Sequence, residues 1–581
     1  MGLYDADAIS RLREILGQED ASAMIVPSSD PHFGEYVPDH YKCIEWLCGF
    51  TGEAGTLVVT MDRAALWTDS RFFIQAAAEL DGTGVELMRQ NVPGTPSLAQ
   101  WLKDNLAEDD IVVMDEDLFS YSDYTAMVDA LAPVTPSLVE DPFDRIWKDR
   151  PALVFNPVRH IGVEISGETS MSKYERLCRT LAMPVPFAYI MTAMDDIAWL
   201  CNLRGTDVEY NALPMAYAVV DNRGIALFAR QAMLSEEAVA ALTSNGLTEL
   251  REYEEFGRYL QTLPKDCVRI FASGKVTAKY FFAAMDNVYN NPSIPSHVPD
   301  PVTGGTVAMM KAVKNEVEAD GFRKACVVDG RAISRVIAWV RENAGTGITE
   351  KDVALKIEEY RKESADYLGE SFPSIVAYGA NAALPHYSIP ESGGAEIGRD
   401  GLLLIDTGAH YAYGTTDTTR MIPLGNLTQE EKDDYTAVLK GLIRLSMAVF
   451  PQGTRGCLLD ILARGEVYRR GKRYLHGTSH GIGHVLCVHE GPQSIRMEEN
   501  PVALADGMVL SVEPGVYVEG SHGIRHENTV IVTPCTDAGS EGFSRFETIT
   551  RVPIDLSPVN ASMLDDSEKE WIESFNRCCS L

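Results

Sequence analysis

The sequence predicts a multidomain protein, with two α/β domains followed by a larger α+β domain. Three observations predict it. At 581 residues the chain exceeds what one hydrophobic core usually serves. Its first half runs through apolar strand, acidic turn, apolar strand and helix twice over, in the same order. Its last half carries long helical patterns and then short strands, several of them ending on an acid.

In order along the chain, residues 8–17 predict a first helix and AMIVPSSD a strand ending in a polar turn. TLVVTMD and RAALWTDSRFFIQAAAEL predict a strand, a turn, a second strand and a helix from near Ser70. IVVMDEDLF adds a strand, so residues 1–155 form a first domain with a mixed sheet. PALVFNPVRHIG, broken by proline and glycine, reads as a connection. A helix over 168–182 then leads to AYIMTAMDDIAWLCNLRG and AYAVVDNRGIALFAR, and the latter parallels TLVVTMDRAALWTDSR. A duplicated α/β unit is therefore expected over 156–308, closed by the connection NNPSIPSHVPDPVTGG. The third domain, 309–581, opens with a helix over 311–343 whose glycines are tolerated. GITEKDVALKIEEYRKES starts another helix, with Thr349 as N-cap and Asp352 three residues on. Short strands follow in SIVAYG, AEIGRDGLLLIDTG and YAYGTTDTTRMI, then helices over 429–449 and 455–470, packed on a curved antiparallel sheet.

Composition narrows the function. The chain is 45% hydrophobic and 23% charged, as in ordinary soluble globular proteins. Lys plus Arg number 51 against 84 Asp plus Glu, a net charge of −33 that disfavours nucleic acid or an anionic membrane as partner. MGLYDADAISRLREILGQ has early acids where a signal peptide needs a basic start, Ala6 replaces the Ser or Thr of a myristoylation signal, and no apolar run reaches membrane-spanning length. A cytoplasmic enzyme is expected. The 11 cysteines contain no CxxC pair and read as buried thiols. Cys487, weighed as a nucleophile or soft ligand, is read as one of these.

LLLID ends a buried strand on Asp406, and TTD ends the return of an apparent hairpin at Asp417. VLSVE and GIRHE repeat the device at Glu513 and Glu527. Carboxylates so placed repel one another unless a cation lies between them. Between the two pairs, HGTSHGIGHVLCVHEG holds His476, His480, His484 and His489, with too many glycines for a helix and no glutamate of the HExxH zinc motif. Taken singly, each acid is an ordinary turn former and each histidine an ordinary loop residue. Jointly, four hard oxygen donors and a borderline nitrogen suit a pair of Mn²⁺, Zn²⁺, Co²⁺ or Fe²⁺ ions.

The succession DTG, TTDTTR, HGTSHG, EPG, HEN resembles the long three-domain Xaa-Pro aminopeptidases (aminopeptidase P) of the creatinase, prolidase and methionine aminopeptidase superfamily. GFTGEAGTLVVTMDRAALWTDSRFFIQAA and DDIAWLCNLRGTDVEYNALPMAYAVV extend the resemblance over nearly the whole chain. It implies two creatinase-like N-terminal α/β domains and a C-terminal pita-bread catalytic domain, in a cytoplasmic homodimer formed through that last domain. It further implies two divalent ions, Mn²⁺ first and then Zn²⁺, Co²⁺ or Fe²⁺, held by Asp406, Asp417, His480, Glu513 and Glu527. Asp417 and Glu527 would bridge, Asp406 would chelate one ion, and His480 with Glu513 would complete the other. Glu513 is the implied proton shuttle, His386, His476 and His489 flank the substrate, and Arg525 supports the neighbouring acidic ligand.

The implied reaction is hydrolysis of the first peptide bond in peptides with proline second, by a water that the metal pair activates. Proline lacks an N–H, so pocket shape must replace a backbone hydrogen bond. The alternatives are a prolidase restricted to dipeptides and a catalytically silent binding protein on the same fold, against which the complete ligand set argues. His526 stands where the family has an apolar residue, and strand alternation turns it away from the metals. Cys487 stands where long members often carry Asn. His484 has no family role and reads as structural.

Overall fold

The computed structural model describes residues 2–272, 275–288, 295–537 and 539–579. The start of the expected connection NNPSIPSHVPDPVTGG, residues 290–294, lies outside the described residues. The chain divides into two compact units, Met1–His160 with Ser170–Glu209 and Leu213–Pro301, and Ile161–Thr169 with Tyr210–Ala212 and Val302–Leu581.

The first unit contains two six-stranded sheets. In one, Ala23–Pro27, Thr56–Thr60 and Ala64–Thr68 pair antiparallel in succession, and Glu86–Arg89 adds parallel. On the far side of Ala23–Pro27, Ile111–Asp115 and Thr135–Val139 add parallel. The second sheet repeats this pattern strand for strand. Phe187–Met191, Ala216–Asp221 and Gly224–Ala229 pair antiparallel and Leu247–Arg251 adds parallel. Val268–Phe271 and His297–Val298 add parallel on the other side. The duplication expected from element order thus has a counterpart in identical strand order and direction. Each central hairpin turns on an acid: Thr60 Oγ1 donates to Asp62 at 2.9 Å, and Arg223 N to Asp221 at 2.7 Å.

The second unit is built on antiparallel pairing. Ile375–Tyr378, Gly401–Thr407 and Thr418–Leu424 form a three-stranded sheet. Side chains alternate across its middle strand, so both faces are buried. Leu402 and Leu404, with Met421, pack against Tyr435, Val438, Leu439 and Leu442 of the helix Gln429–Ser446. Leu403 and Ile405, with Ile422, pack against Val336, Val340, Val353 and Ile357 of the helices Glu316–Asn343 and Glu350–Arg361. Each buried leucine contributes about 2 kcal/mol, and the alternation fixes which of Asp406 and Thr407 faces which side. A six-stranded sheet carries Val509–Val512 and Asn528–Pro534 side by side, with Ser479–Gly481 on the other edge of Val509–Val512.

Several helices differ from their expected bounds. The helix expected over 311–343 is two, Thr306–Ala312 and Glu316–Asn343. Asn315 divides them, because its side chain accepts from Val317 N and Glu318 N while Glu318 returns a bond to Asn315 N. The helix expected over 455–470 begins only at Asp460, after a short turn at Gly456–Leu458. Thr349 and Asp352 form the capping box that their spacing predicts.

Candidate metal centre

The Asp406 strand and its return pair with Asp406 opposite Thr419 and Thr407 opposite Thr418, which leaves Asp417 one residue before the return strand. The second acidic pair is placed the same way. Val512 lies opposite Asn528, so Glu513 and Glu527 sit just beyond the ends of adjacent strands. Between them Gly515–Val518 and His522–Arg525 form a hairpin of their own. His480 comes from the short strand Ser479–Gly481.

These residues converge. Donor atoms of Asp406, Asp417 and Glu527 lie within 4.8 Å of one another, as do those of His480, Glu513 and Glu527, and those of Asp417, His480 and His489. His480 Nε2 is 3.3 Å from Asp417 Oδ2 and 3.4 Å from Glu513 Oε1. His480 Nδ1 is 2.9 Å from the Gly481 carbonyl and donates to it, which turns Nε2 toward the two carboxylates. Asp406 Oδ1 and Glu527 Oε1 are buried with no hydrogen-bond partner among the described residues. Burial, then Asp417, Asp406 and Glu513, push the Glu527 carboxyl well above the usual range. Burial likewise raises Glu513. Burial and His489 oppose a proton on His480, but Asp417 and Glu513 outweigh them and raise its pKa.

This donor set fits divalent cations. Orphaned carboxylate oxygens and an imidazole nitrogen aimed at two anions are costly without a positive charge among them. Hard oxygens with one imidazole match the preferences of Mn²⁺, Zn²⁺, Co²⁺ or Fe²⁺.

The surrounding side chains orient the acids. Arg525 Nε donates to Asp406 Oδ2 at 3.1 Å and Nη1 donates to the Tyr517 hydroxyl at 2.7 Å. Tyr517 OH is 2.8 Å from His476 Nε2, and His476 Nδ1 is 2.7 Å from the Gly477 carbonyl. Arginine can only donate, so the network assigns the Tyr517 proton to His476 Nε2 and the imidazole proton to Nδ1. Burial, assisted by Arg525, holds His476 neutral, with a pKa of about 3. Thr419 Oγ1 donates to Glu527 Oε2 at 2.8 Å.

His489 packs edge-on to His480 with ring centres 4.4 Å apart. His386 follows Pro385, whose carbonyl accepts from Arg525 Nη2 at 3.3 Å, and it lies near enough to His476 to disfavour its protonation. All the expected site residues therefore lie in one neighbourhood. His526, in the link between the strands His522–Arg525 and Asn528–Pro534, is fully buried and packs edge-on to Tyr435 at 4.4 Å. His484 Nε2 is 2.8 Å from the Tyr413 carbonyl, and its ring meets Phe322. Cys487 is half-buried, and its carbonyl accepts from Gly483 N. Tyr517 and Thr419 were not among the expected residues. The signal for Tyr517 was strand alternation: Gly515 pairs with Arg525, which puts Tyr517 two residues along on the same face.

Four family descriptions match in succession: a creatinase/prolidase N-terminal domain over residues 9–146, a second over 149–318, metallopeptidase family M24 over 320–534, and the C-terminal region of peptidase M24 over 542–580. The chain is 36% identical to a probable Xaa-Pro aminopeptidase P of Coprinopsis cinerea, over 98% of this chain and 93% of that one. It is also 36% identical to the corresponding protein of Laccaria bicolor, over 98% and 89%. Among solved structures it is similar to X-prolyl aminopeptidase from Caenorhabditis elegans, described as a cytosolic enzyme with a di-nuclear active site. That match has a TM-score of 0.93 at 31% identity and covers 99% of this chain and 95% of that one. The fold is thus two creatinase-like α/β domains followed by the pita-bread catalytic domain. The chain belongs to the Xaa-Pro aminopeptidase (aminopeptidase P) family of M24 metallopeptidases.

Proposed function

We propose that this protein is a metal-dependent exopeptidase that releases the first residue of peptides whose second residue is proline. The observation that carries the proposal is the convergence of four carboxylates and His480, two of the carboxylate oxygens being buried without a hydrogen-bond partner among the described residues. Asp406, Asp417, His480, Glu513 and Glu527 would hold two divalent ions, with Asp417 and Glu527 shared between them, Mn²⁺ first and Zn²⁺, Co²⁺ or Fe²⁺ as alternatives. When bound, the ions would polarise the scissile carbonyl and acidify a water.

The chain's own groups supply the rest. Arg525 fixes Asp406 through Oδ2 and leaves Oδ1 free to bind. Glu513, whose carboxyl burial raises, takes a proton from the attacking water and delivers it to the departing proline nitrogen. His489, edge-on to His480, and His386 would donate an imidazole N–H to the developing oxyanion or position the prolyl amide. His476, kept neutral, offers the substrate a polar wall with no charge to compete for the ligand acids.

Further parts of the reading follow from the same family. Domain boundaries fall near 155 and 308, and the cytoplasm is the site of action. The protein forms a homodimer through its C-terminal domain. An exposed apolar stripe supports the dimer: Leu458, Ile461, Leu462 and Tyr468 recur at helical spacing along Asp460–Arg469 and the turn before it, 61%, 56%, 36% and 42% exposed. Release of the first residue is to be compared for Xaa-Pro and Xaa-Pro-Yaa-Zaa. Cleavage of the tetrapeptide supports an aminopeptidase, cleavage of the dipeptide alone replaces it with a prolidase, and cleavage of neither by metal-loaded protein leaves a binding protein.

A further inference from the structure

Asp406 and Asp417 do not share a continuous pair of strands. Between them the chain leaves the sheet through Gly408, forms the excursion Ala409–Thr415, and returns through Thr416. The sheet pairs Thr407 with Thr418, and beyond it Thr416 N donates to the Ala409 carbonyl at 2.8 Å, so the backbone brackets the two ends of the excursion. A buried ionic cluster adds side-chain bonds between those ends from the face opposite Asp406. Arg361, the last residue of the helix Glu350–Arg361, is fully buried. Its Nη1 donates to Thr407 Oγ1 at 2.8 Å and to the Gly408 carbonyl at 3.0 Å, at the outgoing end. Its Nε and Nη2 donate to the two oxygens of Asp329 at 2.7 and 3.1 Å. Asp329 Oδ2 in turn accepts from Thr416 Oγ1 at 2.7 Å, at the returning end, and Oδ1 accepts from the Tyr411 hydroxyl at 3.0 Å. Glu370 also accepts from Arg361 Nη1, and Ser374 Oγ donates to Glu370 at 3.0 Å while lying 2.6 Å from Thr407 Oγ1.

The backbone closes on itself at the same place. Ser371 N donates to the Gly408 carbonyl at 3.0 Å and Ser371 Oγ to the Thr416 carbonyl at 3.0 Å. A Cβ on Gly408 would stand 2.1 Å from the Thr416 carbonyl oxygen, so only glycine allows the two ends to come this close. Thr407 adjoins Asp406 and Thr416 adjoins Asp417 in the chain.

Stability alone does not account for such a cluster, since buried ion pairs are commonly replaceable by apolar groups of similar volume without loss. What apolar groups cannot supply is directional bonding that fixes the Thr407 and Thr416 hydroxyls relative to one another. A planar arginine fork and a bidentate carboxylate supply it through directional bonds. We infer that Arg361, through Asp329, is a positioning residue that pins Thr407 and Thr416 and thereby sets the spacing of the Asp406 and Asp417 carboxylates. The inference rests on the proposed ligand set.

The test uses the full-length protein stripped of metal and reloaded with Mn²⁺. Binding is measured by calorimetry, and the coupling between bound ions by electron paramagnetic resonance, which depends on their separation. Thr407→Val and Thr416→Val remove only the pinning hydroxyls, Arg361→Met removes the fork, and Arg361→Lys restores part of it. Lys440→Met breaks a comparably buried pair with Glu568 elsewhere in the unit and serves as a stability control. The native chain is expected to bind two coupled ions. Each threonine variant and Arg361→Met should lose roughly ten- to hundredfold in affinity for at least one ion, with altered coupling, and Arg361→Lys should recover part of the loss. Lys440→Met should melt lower with native binding and coupling. Native affinity and coupling in Thr407→Val, Thr416→Val and Arg361→Met would overturn the positioning role while leaving the ligand set intact. An equal metal defect in Lys440→Met would reduce the effect to general destabilisation and overturn it too. Failure of the native chain to bind two ions would overturn the ligand set, and the inference with it.

Discussion

Glu527→Gln separates the two roles of a buried carboxylate by giving them opposite signs. Glu527 is 1% exposed, and its Oε1 has no hydrogen-bond partner among the described residues. Its donor atom lies within 4.8 Å of those of Asp406 and Asp417. At that outer limit Coulomb's law with an effective dielectric near 20 gives about 3 kcal/mol of repulsion per pair of charges. Part of this is already relieved by protonation, since the pKa of Glu527 is raised by burial and by those neighbours. Glutamine keeps the volume and an acceptor for Thr419 but carries no charge. In EDTA the variant should therefore melt above the native chain, by about 1–2 °C for each kcal/mol recovered in a chain of this size. In excess Mn²⁺ the order should invert. A ligand at one hundred times its Kd stabilises by about 3 kcal/mol, and the variant forfeits that increment for at least one ion. The assay is thermal melting with and without metal, paired with calorimetric stoichiometry. A variant that melts lower than native in EDTA and still shows the full metal-induced rise would refute the reasoning.

Four further outcomes are expected. Asp417→Ala should abolish turnover and reduce bound metal below two equivalents, and full turnover with intact stoichiometry would contradict it. Gly523→Ala places a Cβ 1.6 Å from the Ala382 carbonyl oxygen, so the strand bearing Arg525 must shift; a loss of about 1–3 kcal/mol in stability together with a fall in kcat is expected in denaturation and peptide-release assays. His32 is held neutral by burial, its pKa lowered from 6.5 to about 4. Between those values the unfolded chain binds a proton that the folded chain does not, so stability falls as pH drops through that window, by about 1.4 kcal/mol per pH unit. His32→Gln should therefore lose about 2 kcal/mol less than native between pH 6.5 and 5 in equilibrium denaturation, and equal losses would count against this assignment. Ile461→Glu, in the exposed stripe, should shift the protein to monomer in analytical ultracentrifugation without altering metal stoichiometry.

The site was legible in the sequence because its chemistry sits where strand periodicity is strict. LLLID and VLSVE end buried strands on acids, and pairing register alone puts Asp406 opposite Thr419 and brings Glu513 beside Glu527. The duplicated sheets were legible for the same reason, as hairpins turning on acids in a repeated order. Other features depend on contacts between distant segments. The break at Asn315 was visible as Asn with Glu three residues on, but the apolar periodicity continuing across it masked the signal. The Arg361 cluster joins residues 329, 361, 370, 407 and 416, each unremarkable where it stands in the chain. Tyr517 belongs to an intermediate class, since its face follows from alternation while its bond to His476 needs the fold.

The most direct test titrates metal-free protein with Mn²⁺ while following release of the first residue from an Xaa-Pro-Yaa-Zaa peptide and from its Xaa-Ala counterpart. Release from the proline peptide is expected to reach its plateau at two equivalents of metal, with little from the alanine peptide. A plateau at one equivalent, equal release from both peptides, or no release with two ions bound would contradict a dinuclear, proline-directed aminopeptidase.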